Sequence, residues 1–257
     1  MRLIALPVAA ALLLAPWIAA QENTAEEPAQ TGFEALQQEF MNAQNAFQEK
    51  ARQVYQEDGI DAYRKYQKDS DPTPRFIPRF QDGAAKHAST PAAIPYLTWL
   101  LVADRKPQND TSRDALANLV VDHIDSPDLE DAILMLEYGW RMTGEADADE
   151  AIQEALQHSP HAAVKGAAEF VLAMRVLNDR QAGEDAKAAA VQGLRKALKM
   201  APDGGFAPRA EGVVFEQDHL QIGKQAPDIK GRDLEGVDFA LSDYKGKVIL
   251  LDFWGNW

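Results

Sequence analysis

The hydrophobic positions of the chain change their period once, and the change divides it. Between residues 33 and 200 large apolar side chains recur at helical steps, whereas beyond 219 they alternate or run together as strands require. In the first part, Phe33, Leu36, Phe40, Phe47 and Val54 are spaced by three, four or seven residues. That spacing predicts one helix ending at Asp58-Gly59, with a short helical piece over 60–66. The stretch DSDPTPRFIPRF (69–80) contains Pro72, Pro74 and Pro78 and predicts an extended or turning connection. Helices are then expected near 81–88, 91–104, 112–124, 128–142, 148–158, 160–178 and 183–200. Thr90 before Pro91, Ser112 before an acidic turn, and Ser126-Pro127-Asp128 serve as start signals. Leu116, Leu119, Val120 and Ile124 form one apolar face; Ile133, Leu134, Leu136 and Tyr138 form the next.

Short polar breaks between consecutive helices favour antiparallel hairpins. The segment 159–178 places small residues where a neighbour would pack closely, in the manner of a HEAT or TPR helix. No fixed period repeats, so an irregular bundle fits equally well. At Met200 the composition turns to Gly, Pro and Ala (APDGGFAPRAEG), which predicts a linker over 201–218 and a domain boundary there. The expected organisation is a signal peptide at 1–20, a flexible acidic linker at 21–32 and an all-helical domain at 33–200. The linker and a separate C-terminal unit at 219–257 follow.

Charge narrows the function classes. The 257 residues carry a formal net charge of −14, and no Lys/Arg run exceeds two residues, so a nucleic-acid partner is not expected. The first twenty residues, MRLIALPVAAALLLAPWIAA, combine one Arg, an apolar stretch and a small-residue end, the layout of a secretory signal cleaved after Ala20. The competing reading, a membrane anchor, is weakened by Pro7, Pro16 and the shortness of the stretch. Nothing later is apolar enough for stable membrane insertion, so an exported, periplasmic or extracellular protein is expected. The chain has no cysteine, hence neither disulfides nor thiol chemistry of its own. His158 and His161 lie three apart, a possible ligand spacing, but Ser159-Pro160 interrupts the helix between them. No metal or other cofactor is expected.

The last forty residues carry the chemistry. Asp233-Leu-Glu-Gly236 predicts a hairpin turn between Ile229 and the alternating Val237–Leu241. Ser242-Asp243-Tyr244 predicts a short helical turn ending at Lys245-Gly246-Lys247. Val248 to Phe253 reads as a strand buried on both faces, which needs neighbours on both edges that this chain does not supply. Asp252 inside that run is either a buried acid with an altered proton affinity or a solvent-facing strand end.

Four short motifs fall in order here: Gly223-x-x-Ala-Pro-Asp228, Asp233-Leu-x-Gly236, Leu241-Ser-Asp-Tyr-x-Gly-Lys247 and Val248-Ile-Leu-Leu-Asp-Phe-Trp-Gly-Asn-Trp257. Together they resemble the opening of a thioredoxin-like redoxin domain, most closely that of exported TlpA-like thiol–disulfide oxidoreductases. The peroxiredoxin branch shares the first and third motifs, so a peroxiredoxin-type peroxidase fragment is the nearer alternative, although Trp254 and Trp257 fit the dithiol branch better. The resemblance implies a mainly α region followed by the start of an α/β thioredoxin-like domain, incomplete in this chain. It implies that Asp252 is a buried proton relay, that Trp254 packs beside the active-site loop, and that Trp257 directly precedes a Cys-x-x-Cys pair. By that reading the chain stops just before its redox cysteines and is inactive in itself. The whole protein would act on disulfide-bearing or thiol proteins. A non-catalytic helical module that binds a partner protein is the alternative from a different class.

Overall fold

The computed structural model describes residues 30–252. The expected signal peptide, most of the first linker, and Trp254 and Trp257 lie outside the described residues. Nine α-helices are followed by one two-stranded hairpin within that range: α1 Gln30–Ser70, α2 Thr73–Lys86, α3 Ile94–Ala103, α4 Asp110–His123, α5 Leu129–Thr143, α6 Glu145–His158, α7 Ala162–Asn178, α8 Glu184–Met200, α9 Ala207–His219, then β1 Lys230–Arg232 and β2 Asp238–Ala240. The chain is therefore mainly helical with a small sheet. No described helix is long and apolar enough to cross a membrane.

The predicted break at Gly59 is real. Gly59 has φ 82 and ψ −174 inside α1, a conformation open to glycine but strained for other residues. The two arms fold back on each other: Phe47 stacks on Tyr66 at 5.5 Å, and Tyr55 meets Tyr63 edge-on at 5.7 Å. From the first arm Phe33 and Phe40 reach the aromatic cluster that joins α1, α2 and α3. Its centre is Phe80, fully buried and stacked on Trp99 at 3.7 Å, with Phe76 and Tyr96 around it.

The proline-rich stretch 69–80, expected as a connection, is mostly helix. Pro72 stands at the N-cap of α2 and Pro74 in its first turn, where a missing N–H costs nothing because the first amides have no helical acceptor. Pro78 lies inside the helix and removes one backbone bond. Phe76, Phe80 and Ala84, spaced by four, bury on one face, and that packing outweighs the loss. Gly83 faces the Tyr96 ring so closely that a Cβ would sit 2.2 Å from a ring carbon. Gly83→Ala should therefore lower stability by about 1–3 kcal/mol through overpacking, despite a gain of about 1 kcal/mol in helix propensity. Chemical denaturation measures this; a stabilised variant would show that Tyr96 moves aside freely.

From α3 to α7 each helix packs on its sequence neighbour and on the helix two along: α3 on α4 and α5, α4 on α6, α5 on α7; α8 then packs on α7 and α9. The core runs continuously through them, with Leu101, Leu119, Leu129, Ile133, Leu136 and Ile152 among its fully buried side chains. Helix α4 starts at Asp110, two residues before Ser112. Asn109 caps it by accepting from the Ser112 amide at 2.9 Å, and the Ser112 hydroxyl is itself buried without a partner. Ser126 accepts from Asp128 N–H at 3.3 Å ahead of α5, so that start signal was legible.

The expected linker 201–218 is corrected in the same way as the proline stretch. Only 201–206 is a loop; α9 occupies Ala207–His219 with Pro208 in its first turn, and Phe206 and Ala210 are buried in the common core. The Gly/Pro signal marked the turn and the helix start together, and the small residues of α9 pack rather than dangle.

His123 is buried on α4, and burial lowers its pKa below the ordinary 6.5, with Asp122 opposing. The fold thus favours neutral His123. Its stabilising contribution is present above about pH 6.5 and is lost as pH falls through the lower folded value. The melting temperature should drop between pH 7.5 and 5.5, and His123→Leu should flatten that drop; an unchanged pH profile would refute it.

Candidate functional site

The C-terminal motifs converge on the hairpin. Strands β1 and β2 pair antiparallel in the register Lys230↔Ala240, Gly231↔Phe239 and Arg232↔Asp238. The Asp233-Leu-Glu-Gly236 turn closes it as predicted. The Gly236 amide donates to Asp233 O at 3.1 Å, Gly236 takes φ 83, and the Asp233 carboxylate accepts from the Val237 amide at 2.8 Å. The Phe239 ring lies over Gly231, where a side chain would crowd it, and Arg232 Nε donates to Asp238 across the strands at 3.0 Å.

The residue that ties the motifs together is Asp228, the last of Gly-x-x-Ala-Pro-Asp. Its Oδ1 accepts from the Ser242 amide at 2.8 Å and its Oδ2 from the Ser242 hydroxyl at 3.0 Å, joining it to the Leu-Ser-Asp-Tyr motif fourteen residues on. Beside it, Leu241 N–H donates to Ile229 O at 2.8 Å, extending the strand pairing by one bond. Asp243 accepts from the Ala240 amide at 2.8 Å and starts the short helical turn Leu241–Tyr244. This is the expected turn, and it aims the chain out of the hairpin toward 248–252.

Asp228→Ala should remove both bonds and cost about 1–3 kcal/mol of local stability. Hydrogen exchange at the Ser242 amide should speed up at least tenfold, while exchange in α3–α8 stays unchanged. Unaltered exchange at Ser242 would mean that the turn holds without Asp228.

Residues 248–252 form no strand, and Val248, Ile249, Leu250, Leu251 and Asp252 are all exposed. The sequence calls for a strand buried on both faces, but the only sheet among the described residues has two short strands and offers it no neighbour. Asp252 is accordingly solvent-facing here rather than enclosed. Trp254 and Trp257 lie outside the described residues. Sequence reasoning missed the Asp228–Ser242 pair. Its signal was a carboxylate and a hydroxyl, each sitting where an extended segment meets a turn.

The other candidates are ordinary structure. His158 ends α6 and lies 3.6 Å from Glu154, whereas His161 precedes α7 and its Nε2 is 2.9 Å from Asp125 O. The Ser159-Pro160 break separates them, and no cluster of His, Asp or Glu able to hold a metal occurs among the described residues. Glu130 accepts from the Gly205 amide at 2.6 Å; burial raises its pKa and that bond opposes the rise.

Comparison with known proteins adds a partial match. No family model matches the chain, and no solved structure matches it. The chain is 45% identical over 47 residues to the thiol-disulfide oxidoreductase ResA of Bacillus anthracis, a stretch that is 18% of this chain and 27% of that protein. It is 45% identical over 42 residues to the thiol-disulfide oxidoreductase ResA of Geobacillus thermodenitrificans, 16% of this chain and 24% of that one. It is 47% identical over 38 residues to the thioredoxin-like protein YneN of Bacillus subtilis, 15% of this chain and 22% of that one. The chain thus spans about a quarter of the length of the curated relatives it matches. It shares with thiol-disulfide oxidoreductases and a thioredoxin-like protein one short stretch and not the remainder of their length.

Proposed function

We propose that residues 219–257 are the opening of a thioredoxin-like domain in an exported thiol–disulfide oxidoreductase, and that the shared stretch is this segment. The observation that carries the reading is the convergence of Asp228, the Asp233–Gly236 turn and Ser242 on one hairpin, built from the same motifs that carry the resemblance. In this reading the redox dithiol follows Trp257. The 248–253 run becomes an inner strand once the rest of the sheet flanks it, and Asp252 becomes enclosed beside the dithiol.

The chemistry then divides among named parts. A helix start at the dithiol lowers the first thiol's pKa, and its thiolate attacks a substrate disulfide to give a mixed disulfide. The second thiol resolves that bond, releasing the reduced substrate and leaving the enzyme disulfide. Asp252 accepts the proton of the second thiol, and Trp254 and Trp257 shield the pair from water. Substrates are disulfide-bearing or thiol proteins outside the cytoplasm, consistent with the signal-like residues 1–20.

The coding sequence after Trp257 tests this. Cys-x-x-Cys in the next codons is the expected outcome; a continuation with no thiol there would refute it.

A further inference from the structure

We propose that the groove between α4 and α6 docks a cationic amphipathic helix of a partner protein. The two helices pack side by side, Arg113 near the start of α4 pairing with Asp147 near the start of α6, and Ile124 and His158, at their C-terminal ends, line the same groove. Arg113 Nε donates to Asp147 at 2.7 Å and closes one end of the groove.

The floor is apolar. Ala117, Val120, Val121 and Ile124 recur along one face of α4 at steps of three, one and three, and Val121 is 77% exposed. Leu116, Val120 and Ile124 also pack into or against the core, so the part of this floor left open is Ala117 and Val121. The walls are acidic: Asp110 and Asp114 on α4, Glu150 and Glu154 on α6, none within 4 Å of a Lys or Arg among the described residues. Each helix has 14 residues, so the groove is about 20 Å long, room for a helix of about the same length.

An apolar floor between carboxylate walls selects one kind of occupant: a helix with an apolar stripe flanked by Lys or Arg. A second copy of this chain is disfavoured, because each carries a net charge of −14 and the same acidic rim. The chain's own segment 21–32 is disfavoured for the same reason, having Glu22, Glu26 and Glu27 and no Lys or Arg. The inference stands on the helical region alone and does not depend on the redox reading.

A labelled 15-residue Leu/Lys peptide, with leucines at i, i+3, i+4 and i+7 spacing, is titrated into the full chain by fluorescence anisotropy. A Leu/Glu peptide of the same pattern is the control. Saturable, salt-sensitive binding of the Lys peptide alone is expected. Val121→Asp and Glu150→Lys should each weaken it about tenfold or more, while Asp185→Lys, on the distant α8, should leave it unchanged. Both α4–α6 variants change exposed side chains, and matching melting curves establish that they fold. No saturable binding overturns the proposal. So does equal weakening by Asp185→Lys, which indicates attraction to net charge alone, or comparable binding of the Glu peptide.

Discussion

Phe170→Ala is expected to lower the stability of the helical region by about 3–5 kcal/mol, the range for truncating a fully buried aromatic residue. Phe170 has no exposed surface on α7. Its ring stacks on Phe206 at 5.6 Å, and the Arg209 guanidinium lies 5.2 Å above it. Phe206 in turn lies against Gly166 and Gly204, where added Cβ atoms would lie 2.6 and 2.5 Å from the ring, so tilting into a vacated site would give up that packing. A cavity is thus left rather than filled. Equilibrium unfolding in urea measures the loss; a change under about 1 kcal/mol would mean that α9 collapses into the space.

Arg209→Ala should cost about 2–4 kcal/mol. Arg209 on α9 grips Glu137 on α5 through two parallel bonds of 2.6 and 2.9 Å. The Glu137 side chain is 2% exposed and that of Arg209 52%, so the pair is buried on one side only. Its net worth is small, because removing the carboxylate from water offsets most of the attraction. Deleting the arginine alone is costly, since the carboxylate stays buried without its partner. The double change Glu137→Leu with Arg209→Leu should therefore recover most of what Arg209→Ala loses. A double variant as unstable as the single one would show that the pair contributes packing rather than charge compensation. Because Arg209 also covers Phe170, its effect and that of Phe170→Ala should not add.

Much of this fold was legible in the pattern of apolar residues. The stripe Phe33–Leu36–Phe40 and the breaks before α4 to α8 follow from helical spacing alone, and Gly59 and Gly236 marked the turns they make. The two misreadings share a cause. Pro72, Pro74, Pro78 and the Gly/Pro-rich 201–212 speak for local backbone preference, whereas Phe76, Phe80, Phe206 and Ala210 gain their burial from residues far along the chain. The Glu137–Arg209 grip spans 72 positions and had no local signature. In the C-terminal unit the turn chemistry was readable from its motifs. The environment of Asp252 was not, because enclosing it takes strands beyond the hairpin.

If residues 219–257 open a working thiol–disulfide oxidoreductase domain, the protein comprising these 257 residues and their coded continuation should catalyse the reduction of insulin disulfides. The expected result is reduction well above the rate with dithiothreitol alone, abolished when the first cysteine after Trp257 is changed to Ser and slowed at least tenfold by Asp252→Ala. A rate equal to dithiothreitol alone from a folded protein would contradict it.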